Sequence, residues 1–78
     1  MEKFPSMKAK ELLHLLQRKP LNYTIVRQRG SHKRLRSNVG NTFTFAYHGS
    51  EELSGKQVFY ILVVQVGLSE ALAMEVLK

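Results

Sequence analysis

YTIVRQRGSHKRLR, residues 23–36, is the stretch from which the fold can be read. Tyr23, Thr24, Ile25 and Val26 are the β-branched and aromatic types that suit a pleated strand. Gly30-Ser31 then supplies the glycine-first pair wanted by a two-residue type II′ hairpin turn, with Gly30 as the residue that makes the turn. Such a loop would set Arg29 opposite His32, Arg27 opposite Arg34 and Val26 opposite Leu35. A slip of one residue would move every side chain to the other face, so the apolar pair Val26/Leu35 is expected to mark the core side.

The remaining elements are read outward from this hairpin. TFTFAYH (42–48) forms a third strand, after an NVGN turn. Its Phe43, Phe45 and Tyr47 alternate with Thr44, Ala46 and His48, and the aromatics are expected to share the face of Leu35. Upstream, Ser6 can cap a helix from about Met7 to Arg18, with Ala9, Leu12, Leu13 and Leu16 as its apolar stripe and Pro20 ending it. Downstream, SGKQVFYILVVQV (54–66) is read as a helix stopped by Gly67, although its valines and aromatics also suit a strand. It is apolar nearly all round, so some of Phe59, Tyr60, Val63 and Val64 would remain uncovered. Ser69 can cap a last short helix over 70–77. The fold class is therefore α+β: a helix, three antiparallel strands, a second helix on the same sheet face as the first, and a short C-terminal helix.

Bulk properties bound the function. The 78 residues are expected to form a single domain (1–78) with a small core. With no cysteine there is neither a disulfide nor a thiolate metal site. The N-terminus does not have a signal peptide's layout. The apolar run VFYILVV is too short to cross a bilayer, so a cytoplasmic protein with no membrane partner is expected. Net charge is +6, and it is uneven: residues 1–40 hold ten Lys/Arg against two Glu, residues 41–78 two against four. Five of the twelve cations fall in 27–36, which suggests a polyanionic partner.

The hairpin register would gather Arg27, Arg29, His32, Arg34, Arg36 and His48 on the non-core face, with Tyr23 and Ile25 at one end. His48 would lie opposite His32 or one diagonal away. Like charges facing each other across strands are destabilising, and a bound phosphate chain would relieve Arg27 against Arg34. An ordinary solvated sheet face, with arginines splayed into water, accounts for the same pattern. If the face is a site, RNA cleavage suits it. Histidine can take or give a proton near neutral pH, and arginines stabilise charge developing on phosphorus. His32 and His48 are the catalytic candidates. Arg27, Arg29, Ser31, Lys33, Arg34 and Arg36 are the candidates for binding RNA. Ser31 is a poor nucleophile here, because residues 21–50 contain no acid to orient a serine–histidine pair. His14, on the polar side of the first helix, reads as solvated. The histidine spacing fits no zinc site and the glycines fit no nucleotide-binding fingerprint, so no metal and no cofactor are expected.

KAKELLHLLQ (8–17), YTIVRQRGSHKRLR (23–36), FTFAYH (43–48), ELSGKQVFYIL (52–62) and VGLS (66–69), in this order and spacing, resemble the HicA-type mRNA interferase toxins of bacterial toxin–antitoxin systems. The resemblance implies a fold like the double-stranded-RNA-binding domain. It also implies metal-independent cleavage of mRNA, a HicB-type antitoxin covering the active site, and His32 as the catalytic histidine of Gly-Ser-His. Two positions depart from the family pattern. Lys33 stands where a second histidine is common, and Ala46-Tyr47-His48 stands where Pro-basic-His is common. Two other functions fit the same residues. One is a non-catalytic RNA-binding module that uses the arginines alone. The other is a protein-interaction module built on helix 55–66, whose self-association would give a homodimer dependent on Phe59 or Val63.

Overall fold

The computed structural model describes residues 4–78. A short strand β1 (Met7–Lys8) leads into helix α1 (Ala9–Gln17). Strands β2 (Thr24–Arg29), β3 (His32–Arg36) and β4 (Phe43–Phe45) follow and form an antiparallel sheet in that spatial order. Strand β5 (Glu52–Leu53) pairs with β1 in a separate two-stranded ribbon that the sequence did not lead us to expect. Helix α2 (Gly55–Phe59) continues as a π-helical segment (Tyr60–Gln65), and α3 (Glu70–Val76) ends the chain.

Helix α1 starts two residues later than the sequence suggests, and Ser6 does not cap it. Met7 and Lys8 are held extended by pairing with Leu53 and Glu52, so Lys8 becomes the N-cap. The Glu11 carboxylate accepts the Lys8 N–H at 2.9 Å. The buried face is Ala9, Leu12, Leu15 and Leu16, with Leu13 only half-buried at its margin. Ser54 and Ser69 cap α2 and α3 through hydrogen bonds from Gln57 N–H (3.2 Å) and Leu72 N–H (3.1 Å). The π-helical turn is closed by Val66 N–H donating to Ile61 O at 2.8 Å. Val66 is buried with Val58, Ile61 and Leu62, while Tyr60 and Val64 stay exposed. All three helices and the inner face of the sheet contribute to one apolar core.

The hairpin turn forms as its sequence suggests. Gly30 has φ +61°, Ser31 does not share the positive φ, and Arg29 pairs with His32. Arg27 pairs with Arg34. The next step breaks the expected alternation. Ile25, not Val26, faces Leu35, because the register shifts between Ile25 and Arg27. Val26 is the extra residue of a β-bulge, and one extra residue reverses which face the preceding side chains occupy. Tyr23 is therefore in the core at 2% exposure, and Ile25 shares the row of Leu35 and Phe43. Val26, expected to mark the core, is 45% exposed.

Strand β4 ends at Phe45, so the expected strand over 42–48 is cut short and His48 lies in the following loop. There the His48 carbonyl accepts the Glu51 N–H at 3.0 Å, and the Glu51 carbonyl accepts the N–H of Ala9 at 2.8 Å. The loop is thereby anchored to the start of α1 rather than to the sheet.

Tyr23 ties the bulged strand to the loop before β4. Its hydroxyl donates to Asn41 O at 2.6 Å and its ring stands edge-on to Phe43 with centroids 5.3 Å apart. Asn41 N–H in turn donates to Val66 O at 3.0 Å. Gly40 sits inside this junction, where a Cβ would come within 2.5 Å of Tyr23 Oη and 2.7 Å of Val66 Cγ1. Gly40→Ala is expected to cost about 1–3 kcal/mol, the usual range for overpacking a filled site, read as a lower urea midpoint. Burial also pushes the Tyr23 phenol above its ordinary value of 10.0. A raised folded pKa contributes stability that is full below the unfolded value and is lost as pH rises through the folded one. Melting temperature should therefore fall above about pH 10, and less steeply in Tyr23→Phe.

Candidate active site

The bulge gives the sheet two chemically distinct faces. Towards the core run the rows Ile25–Leu35–Phe43 and Gln28–Lys33–Phe45. Outward run Arg29–His32, then Arg27–Arg34–Thr44, then Thr24–Arg36. Arg27, Arg29, His32, Arg34 and Thr44 together line an open groove of about 400 Å³.

Each of these side chains is positioned by backbone. The Gly30-Ser31 turn sets Arg29 and His32 as the first rung beyond the loop, so both leave a rigid hairpin end. Arg34 is fixed from the other side: its Nη1 donates to Thr44 Oγ1 at 3.1 Å. Arg27 faces Arg34 with no acid between them. Among the described residues the one ion pair is Lys78–Glu75, at the C-terminus. The groove thus holds three guanidinium groups, one imidazole and one hydroxyl, with no carboxylate in its lining.

The residues singled out from sequence divide accordingly. The structure brings together Arg27, Arg29, His32 and Arg34. Arg36 is on the same face one rung further on and outside the groove, and Ser31 is half-buried in the turn. Lys33 points to the opposite face, in the row of Gln28 and Phe45, because neighbours along a strand alternate. His48 does not reach the groove. The ladder stops at Lys33–Phe45, so no strand pairing holds His48 against the hairpin, and it does not line the groove. Sequence reasoning missed Thr44. The signal was available, since aligning Phe43 with Leu35 places Thr44 against Arg34. Among the described residues no three His, Asp or Glu side chains cluster as metal ligands would.

A family model described as the HicA toxin of bacterial toxin–antitoxin matches residues 9–68, from the first residue of α1 to just before α3. The chain belongs to the HicA toxin family. Among curated proteins and solved structures none matches it. This HicA chain is accordingly a toxin of a toxin–antitoxin pair, and membership implies an antitoxin partner. Its three-stranded sheet and helices agree with the double-stranded-RNA-binding-domain-like fold of the family. No single helix among the described residues is long and apolar enough to cross a membrane.

Facing arginines repel, so the groove should weaken the empty fold. Arg27→Gln is expected to raise the melting temperature at low salt, with the gain shrinking as salt screens the pair.

Proposed function

We propose that this HicA toxin is an endoribonuclease that cuts mRNA in the cytoplasm, with no metal taking part. The observation that carries the proposal is the Arg29–His32 rung. It sets one proton-transfer group beside a guanidinium, at the end of a groove with no acid in its lining. Phosphodiester cleavage by the neighbouring 2′-hydroxyl needs a base for that hydroxyl, an acid for the leaving 5′-oxygen, and cations for the charge on phosphorus. Arginine cannot exchange its proton in this setting, so His32 performs both transfers. Neutral His32 takes the 2′-hydroxyl proton as the oxygen attacks phosphorus, then returns that proton to the 5′-oxygen as its bond to phosphorus breaks. The products are a 2′,3′-cyclic phosphate and a 5′-hydroxyl. Arg27, Arg29 and Arg34 hold phosphate oxygens of the RNA strand, and Ser31 and Arg36 bind RNA beside them. His48 and Lys33, both outside the groove, take no part in the chemistry. The antitoxin, of HicB type, covers the groove and excludes RNA.

Incubation of a long labelled RNA with the protein in EDTA tests this directly. Wild type and His48→Ala should both cut and leave cyclic phosphate ends, while His32→Ala should lose at least about a hundredfold in rate, the lower end for general acid–base catalysis. If wild type binds RNA without cutting it, the protein is an RNA-binding module and the proposal fails. If His48→Ala is as impaired as His32→Ala, the single-histidine mechanism fails.

A further inference from the structure

The five residues of the groove belong to two adjacent rungs of the outer sheet face, and the rungs are chemically different. Arg29–His32 carries the group that can move a proton. Arg27–Arg34–Thr44 carries two guanidinium groups and a hydroxyl, none of which can act as acid or base near neutral pH. His32 and Arg34 are two residues apart on one strand, so the rungs are separated by about 7 Å. Successive phosphates of an extended RNA strand, separated by one sugar and its ester oxygens, lie at a comparable distance.

We infer that the groove is a two-phosphate site, with the phosphate to be cut on the Arg29–His32 rung and the adjoining, uncut phosphate of the same strand on the Arg27–Arg34–Thr44 rung. The inference rests on the phosphodiester substrate proposed above and adds a second binding subsite to it. Thr44 is part of that subsite in two ways. It accepts the hydrogen bond from Arg34 Nη1 at 3.1 Å, which holds the planar guanidinium in one orientation. Its own hydroxyl hydrogen is not used by that bond and is available to a phosphate oxygen. Arg27 and Arg34 then clamp the anion from two strands, and a shared anion replaces their mutual repulsion by two charge-assisted contacts.

The subsite is tested by removing the second phosphate from the ligand and the second rung from the protein in one cycle. The probes are 2′-O-methyl dinucleotides, which cannot be cut, carrying either the internal phosphate alone or an added 5′- or 3′-terminal phosphate. One of the two terminal phosphates should tighten binding to wild type by about tenfold, the size of one charge-assisted contact. That gain should vanish in Arg27→Gln, shrink in Thr44→Val and return in Thr44→Ser. It should persist in Arg29→Gln, although overall binding is weaker there. Circular dichroism confirms that each variant is folded. If neither terminal phosphate helps wild type, or if Arg29→Gln removes the gain as fully as Arg27→Gln, the rungs do not act as separate subsites and the inference is wrong. Because the probes are uncuttable, the result is independent of catalysis. A preserved cycle in a protein that does not cut natural RNA would sink the nuclease proposal and leave the two-phosphate site standing.

Discussion

One residue too many in β2 is the constraint on which the rest of the structure depends. Val26 has no partner of its own in the β2–β3 ladder, and the register shifts around it. Before the bulge, odd-numbered residues take the inner face: Tyr23 is in the core, and Ile25, at the margin and 37% exposed, is in the row of Leu35. After it, the odd-numbered Arg27 and Arg29 turn outward. Without the bulge one strand could not bury Tyr23 and also expose both arginines, since side chains two apart share a face. The inward half anchors the fold through the Tyr23 hydroxyl, Asn41 and Val66. The outward half makes the groove.

The groove follows from that geometry with few further ingredients. A tight turn brings Arg29 and His32 together, and the ladder beyond it brings Arg27, Arg34 and Thr44 into one row. Because the helices cover the inner face, the chain can leave the outer face free of covering elements and rich in cations. The arrangement is unfavourable by itself, as unpaired guanidinium groups repel, and it makes sense as a surface completed by an anion. Under the proposed function, stability and binding oppose each other at Arg27 and Arg34, whereas at Gly40 and Tyr23 only the fold is at stake.

Much of this was legible in the sequence, and the failures have identifiable causes. The glycine-first turn fixes its own geometry locally, so Arg29–His32 and Arg27–Arg34 could be read from residues 27–34. Val26 misled because an apolar side chain at a bulge looks like one more member of an alternating strand. The position of His48 depends on where β4 ends, and that is decided by contacts of residues 48–51 with the start of α1, far away in sequence. Ser6 was passed over as a cap for a related reason, since the β1–β5 pairing holds Met7 and Lys8 extended. Lys33 shares the charge of its neighbours but not their face, as strand alternation by itself requires. Leu13 and Leu15 are nearly equivalent candidates for the apolar stripe of a leucine-rich helix, and tertiary packing buries Leu15.

Placing His48 outside the groove changes the proposed chemistry. Two histidines on one face invite a division into base and acid, each starting in a different protonation state. A single histidine permits a simpler cycle. In the proposed cycle His32 would begin neutral, become imidazolium as the 2′-oxygen attacks, and be neutral again once the 5′-oxygen has left. Nothing would have to be reset before the next phosphodiester enters, and in that cycle the arginines would balance phosphate charge without exchanging protons. The imidazole must then reach both oxygens of one phosphate in sequence, so that phosphate has to be held still while the proton is carried across it. A second anchoring point on the same RNA strand would do this, and the Arg27–Arg34–Thr44 rung, next to Arg29–His32 on the same sheet face, is the anchor proposed for it.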